Sequence, residues 1–143
     1  MRYALTLAQQ AWDAGEVPVG AVLVDANQQI LGCGYNQVIQ HNDPCAHAEV
    51  IALRAAGVAL GNYRLNQTTL YVTLEPCCMC AGAMVHARLQ RLVFGAYDPK
   101  TGAAGSVFHL LSGEKLNHRV LVEGGCLAEP CGQLLKDFFQ AKR

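Results

Sequence analysis

The segment TTLYVTLEPCCMCAGAMVHA, residues 68–87, passes from a strand-like pattern to a helix-like one with no loop between them. Residues 68–74 are rich in β-branched and aromatic side chains and short enough to form a buried strand. Pro76 suits the first turn of a helix, where its fixed φ fits and its missing N–H removes no bond. The pattern therefore predicts a helix from Cys77 to about Ala87. A buried strand that feeds directly into a helix is a building unit of an α/β sheet, so the remaining residues must provide partner strands and covering helices.

They carry such signals in alternation. Ala4, Leu5, Ala8 and Trp12 recur at helical intervals until Gly15 stops them. VGAVLV (19–24) and QILGCGY (29–35), separated by DANQ, read as paired strands. A second helix is expected from near Cys45 through AHAEVIALRAAG to Gly57. RLVFGAY (91–97) reads as a strand, DPKTGAAGS (98–106) as a Gly-rich connection, RVLVEG (119–124) as a last strand, and the chain closes on a helix ending in LLKDFFQAKR. This alternation implies an α/β sandwich with helices covering a mixed sheet. With no repeat and no internal boundary, residues 1–143 are expected to form one domain.

Hydrophobic residues make up 52% and charged residues 15%, which excludes a disordered chain. No uninterrupted apolar run reaches the ~18 residues of a membrane span. Gln9, Gln10 and Asp13 break the N-terminal stretch, so a signal peptide is not supported and the expected address is the cytoplasm. In a reducing compartment, seven cysteines, an odd number, suit metal ligands plus buried thiols better than a disulfide framework. A net charge of zero argues against a strongly basic nucleic-acid binder.

Three of the seven cysteines fall within LEPCCMC, residues 74–80. On a helix Cys77 and Cys80 lie three positions apart on one face, whereas Cys78 points about 100° away. A helix N-terminus also favours the thiolate that a metal needs. Two thiolates leave a zinc site incomplete, and DPCAHAEV offers His47 and Glu49 at the start of another helix. A Cys₂His set with an open fourth position is a catalytic zinc arrangement, and Glu49 would be free to act on the water there. Together H-A-E and P-C-x-x-C match the signature of zinc-dependent base deaminases, in which the Glu is the general acid/base. A closed structural site completed by Cys45 or Cys78 stays open as an alternative, though it leaves Glu49 without a role. Cys33, Cys126 and Cys131 are expected to be small buried hydrophobes.

The strings EVPVGAVLV, HAEVIALR, NYRL, TLYVTLEPC, MCAGAMVHARLQRLVFGAYDPKTGAAGS, NHRV and DFF resemble the bacterial tRNA-specific adenosine deaminases over nearly the whole chain. DPKTGAAGS is the discriminating piece, because free-base and nucleoside deaminases share the zinc motifs without it. The resemblance implies a cytidine deaminase-like fold, a three-layer α/β/α sandwich around a mixed sheet of roughly five strands. It implies one zinc held by His47, Cys77 and Cys80, with Glu49 carrying protons. It also implies Asn36 on the target base, Val17 and Pro18 in the pocket wall, Asp98 near the ribose, and Phe138 and Phe139 near RNA. Core packing is the rival role for Val17, Pro18 and the two phenylalanines, and turn formation for Asn36. The implied substrate is adenosine at the wobble position of a tRNA anticodon arm, and the implied assembly is a homodimer with no membrane partner.

Cys45 stands where relatives commonly carry Thr, and Cys78 where they often carry a β-branched residue, which adds oxidisable thiols beside the metal. Arg54, Arg64, Arg88, Arg91, Lys115, Arg119, Lys136, Lys142 and Arg143 are candidate phosphate contacts, with solvated surface charge as the rival. Three functions follow: an RNA-editing enzyme, which the motifs favour; a free-base or nucleoside deaminase; and a non-catalytic, zinc-stabilised RNA-binding module.

Overall fold

β3 (Thr69–Leu74) lies at the centre of the sheet, and the sheet order follows from what the chain offers on either side of it. The computed structural model describes residues 1–143. Five strands pair in the order β2-β1-β3-β4-β5, where β1 is Gly20–Val24, β2 is Ile30–Tyr35, β4 is Arg91–Ala96 and β5 is Leu121–Glu123. β1 is antiparallel to both β2 and β3, while β3, β4 and β5 run parallel. The sheet is therefore mixed, as the sequence implies.

Helices cover both faces. α1 (Arg2–Asp13) and α5 (Ala128–Ala141) share one face, where Trp12 and Phe138 meet edge to face at 5.3 Å. α3 (Ala48–Leu60) and α4 (Cys78–His86) share the other. All five residues of β1 are buried, and the pleat sends Ala21 and Leu23 into the core under α3 and α4 and Val22 and Val24 into a smaller cluster under α1. The result is the three-layer α/β/α sandwich.

Boundaries differ from expectation in places that matter. α3 starts at Ala48, not Cys45, and runs through Gly57 to Gly61, whose φ of 64° makes the left-handed C-cap. α4 starts at Cys78, so Pro76 precedes the helix instead of opening it, and Cys77 is the N-cap with extended backbone. A four-residue helix, α2 (Val38–His41), has no strong sequence signal. Of the spare cysteines only Cys131 is buried, while Cys33 and Cys126 are half-buried.

Strand direction gathers the site. β2, β3 and β4 end where β1 begins, so residues 16–19, 36, 75–77 and 97–101 converge on one edge of the sheet. Such carboxyl ends of parallel strands are the usual location of ligand sites in α/β sheets.

Candidate metal centre and active site

Two ligand candidates occupy helix N-caps. An N-cap side chain leans over the first turn toward the N2 and N3 positions, and Cys80 is N3 of α4, so the Cys77 and Cys80 sulfurs meet. His47, the N-cap of α3, brings its Nδ1 to 3.6 Å from the Cys77 sulfur and 3.5 Å from that of Cys80. All three donor atoms lie within 4.8 Å of one another. Sulfur and nitrogen ligands around a tetrahedral zinc stand about 3.6 Å apart, given Zn–S near 2.3 Å and Zn–N near 2.05 Å. The donor set and its spacing thus fit zinc.

Neither Cys45 nor Cys78 joins the trio, and Cys78 is exposed, so the closed four-ligand alternative is not built. The electrostatics of the trio are set by its mutual contacts and burial. Contact with the Cys80 thiol pulls the Cys77 thiol well below its usual range, and the His47 ring and the Cys80 amide add to it. The same contact and burial push Cys80 far up. The Cys77 contact raises the His47 pKa against the opposing effect of burial.

A cavity of about 320 Å³ opens beside the trio, within the range of small-ligand sites. His47, Glu49, Cys77, Val17, Asn36 and Asp98 line it, so most sequence-predicted residues converge there. Cys80 is fully buried beneath. Pro18 is a correction: it is buried but does not reach the cavity. The Val19 amide donates to the Val17 carbonyl at 2.9 Å, a tight three-residue turn centred on Pro18 that leaves Val17 and Val19 in the wall and Pro18 out of it.

Asn36 does more than face the cavity. Its Oδ1 accepts from the Ala48 backbone N–H at 2.9 Å, and its Nδ2 donates to the Val17 carbonyl at 3.1 Å. His47 makes no side-chain cap bond, so Asn36 supplies the cap of α3 from across the chain. Asp98 accepts from the Lys100 and Thr101 amides and from the Thr101 hydroxyl. Burial raises its pKa, but these bonds outweigh it and hold the carboxyl below the usual range.

Sequence reasoning missed two acids on the cavity. Glu16 and Glu75 are each 2% exposed. The Glu16 carboxylate accepts from the Ile39 amide at 3.0 Å and the Gln40 amide at 2.8 Å, fastening α2 to the end of α1. Glu75 holds residues 98–106. Glutamate is rarely buried, and its partners here lie more than twenty residues away, so no local pattern announces either residue. Glu49, 4% exposed, differs from both, because no amide of a neighbouring segment ties its carboxylate down. Burial holds its carboxyl above the usual range, partly countered by its own backbone N–H. The cavity thus presents one buried carboxylate that is held by its own backbone N–H and the Cys80 thiol rather than by a neighbouring segment, next to a three-donor metal site.

The chain is similar to known proteins in sequence and in fold. Residues 1–96 match the family described as the cytidine and deoxycytidylate deaminase zinc-binding region. Over all 143 residues the chain is 58% identical to a Haemophilus influenzae protein named tRNA-specific adenosine deaminase, covering 83% of it. It is 46% identical over the same length to a Bacillus subtilis protein of that name, covering 88%. A structure from studies of A-to-I editing by tRNA:A34 deaminases at the wobble position of transfer RNA superposes with a TM-score of 0.90 at 41% identity, over 94% of this chain and 97% of that one. A guanine deaminase from Bacillus subtilis superposes less well, with a TM-score of 0.65 at 34% identity over 99% of this chain and 90% of that one.

Proposed function

The chain belongs to the zinc-dependent deaminases of the cytidine and deoxycytidylate family, among the tRNA-specific adenosine deaminases, and from that membership we propose that it hydrolyses adenosine to inosine at the wobble position of a tRNA anticodon. The observation that carries the chemistry is Glu49, a buried carboxylate on the cavity, tied to no other segment of the cavity wall, beside His47, Cys77 and Cys80.

His47, Cys77 and Cys80 would hold one zinc ion, which would supply the Lewis acidity that makes water a nucleophile at neutral pH. Cys77 and Cys80, binding as thiolates, would offset the ion's charge and leave water less acidified than in a neutral His₃ site, so a nearby base is called for. Glu49 takes the proton of the attacking water and delivers it to N1 of adenine as the C6–O bond forms. It then passes the second water proton to the leaving amine as the C6–N bond breaks. Adenosine and water become inosine and ammonia.

The remaining residues bind and orient. Asn36 spends one donor and one acceptor lone pair on Val17 and Ala48, which leaves it one N–H and one lone pair for the base edge. Val17 forms the apolar wall and Asp98 stands on the rim near the ribose. A base stacked in a loop must be flipped out to enter, and an anticodon loop makes this inexpensive. Surface cations contact the phosphates, so the balanced net charge is no obstacle.

The same reading treats residues 1–143 as one deaminase domain of a cytoplasmic homodimer. Exposed Val58, Leu60 and Tyr63 beside the α3–α4 groove support a second subunit. No helix is long and apolar enough to cross a membrane.

The test is inosine formation in an anticodon stem-loop with adenosine at the wobble position, using protein of known zinc content, with free adenosine, cytidine and guanine alongside. Turnover of the stem-loop alone is expected. Turnover of a free base would keep the zinc chemistry and overturn the RNA substrate, and inactivity of fully zinc-loaded protein would point to a binding module.

A further inference from the structure

Glu75 occupies the corner between β3 and the Pro76–Cys77 turn, yet its carboxylate is used entirely on a different segment. One oxygen accepts from the Asp98 amide at 3.1 Å and from the Ser106 hydroxyl. The other accepts from the Ala104 amide at 3.0 Å and the Ser106 amide at 3.1 Å. A carboxylate only accepts, so it matches this ring of donors as a neutral amide could not. The next residue adds to the junction, because the Ala103 amide donates to the Pro76 carbonyl at 2.8 Å.

The enclosed segment is shaped around that carboxylate. The Gly102 amide donates to the Asp98 carbonyl at 3.0 Å, and the Val107 and Phe108 amides both donate to the Gly102 carbonyl at 3.0 Å. A Cβ at Gly102 would sit 2.4 Å from the Glu75 carboxylate and 2.5 Å from the Asp98 carbonyl oxygen, so only glycine permits the close wrap. Within the loop Asp98 fixes Lys100 and Thr101 by its own hydrogen bonds, and Asp98 and Thr101 both line the cavity beside the metal trio. A path of hydrogen bonds therefore runs from the corner that carries Cys77, through Glu75, to the Asp98–Thr101 wall.

We propose that Glu75 is a positioning residue that sets this wall against the metal corner and so determines how tightly the target nucleotide is held. It acts through residues 98–106 and does not touch the reacting atoms. His47 and Cys77 cap α3 and α4, and Glu49 and Cys80 lie in their first turns; the Glu75 carboxylate bonds none of the four, only residues 98–106, so the chemical step on bound substrate stays largely intact without it. The substrate named in the test rests on the tRNA-deaminase reading above.

Glu75→Gln keeps size and shape but turns an NH₂ toward backbone amides. In the zinc-loaded variant, KM for the anticodon stem-loop is expected to rise about tenfold while kcat stays within about threefold, since sub-ångström displacement of a binding wall is felt at this scale. Hydrogen exchange at the amides of Asp98, Ala104 and Ser106 should quicken about tenfold, with that of α3 unchanged, because each loses a charged acceptor. An unchanged KM, a fall in kcat at constant KM, or unchanged exchange in the loop would overturn the proposal. If the variant does not fold, Ser106→Ala removes one donor from an exposed position. KM should then rise about threefold, and Ser106→Thr should restore it by returning the hydroxyl; failure of either overturns the proposal. Should the wild type leave the stem-loop unconverted, the tRNA reading fails by itself, and the exchange measurement still decides whether Glu75 holds the wall.

Discussion

Replacing Asn36 by alanine removes two hydrogen bonds from the corner where β2 hands the chain toward α3. The first, from the Ala48 amide to Oδ1 at 2.9 Å, is the cap that His47 cannot make while its ring faces Cys77 and Cys80. Losing a helix cap costs about 1 kcal/mol. The second, from Nδ2 to the Val17 carbonyl at 3.1 Å, is worth about 1 kcal/mol net, and the stranded part-buried groups add a fraction more. The sum is roughly 2–3 kcal/mol, which at about 3 °C per kcal/mol for a domain of this size predicts a Tm lower by roughly 6–9 °C. Asn36→Asp keeps the acceptor for Ala48 but sets a carboxylate oxygen against the Val17 carbonyl, so its loss should be smaller, about 1–2 kcal/mol. Thermal unfolding of zinc-loaded protein without RNA should rank wild type above the Asp variant and that above the Ala variant. An Ala variant melting within about 2 °C of wild type would refute the capping argument and leave Asn36 a base contact alone.

Three further outcomes follow from the geometry. Glu49→Gln should bind zinc and melt as the wild type does while kcat falls about 10²–10⁴-fold, the usual weight of general acid–base catalysis; retained turnover would remove Glu49 from the mechanism. Cys80→Ser should lose stoichiometric zinc by metal analysis, and a chelator should abolish wild-type turnover until zinc is returned, because the remaining pair cannot hold the ion at neutral pH. Phe138 is buried against Trp12 at 5.3 Å while Phe139 is 49% exposed. Phe138→Ala should therefore destabilise by about 3–5 kcal/mol, and Phe139→Ala should leave Tm unchanged within error, so that any loss of RNA affinity in the second variant reads as a surface contact.

Periodicity and short-range chemistry were legible in the chain. The helical spacing of residues 1–14, the paired strands around DANQ and the buried run at 68–74 all correspond to elements of the structure. The zinc trio was legible too, though for a partly wrong reason. Cys77 and Cys80 meet as N-cap and N3, not as two residues within a helix, because Cys77 takes the extended backbone of an N-cap and the helix starts one residue later than the motif suggests. Glu16 and Glu75 could not be found, since their acceptors are satisfied by amides 23 to 31 residues away, and only the converging strand ends bring those amides near. The role of Asn36 as a remote cap was hidden for the same reason: it depends on which residue His47 is prevented from serving.

These three hidden residues share a logic. A metal ligand at an N-cap gives up capping, and loops that rim a cavity cannot also hydrogen-bond like strands. The amides left over in both places need acceptors, and Asn36, Glu16 and Glu75 supply them from the same edge of the sheet. The division of labour that follows is physical. The proposed metal ligands and Glu49 lie at the N-caps and first turns of α3 and α4 and should act on kcat. Residues that hold the rims, Glu16 for α2 and Glu75 for the loop of Asp98, should act on KM. Both acids are buried because their charge is spent on backbone amides, which leaves Glu49 as the buried carboxylate on this cavity free to move a proton.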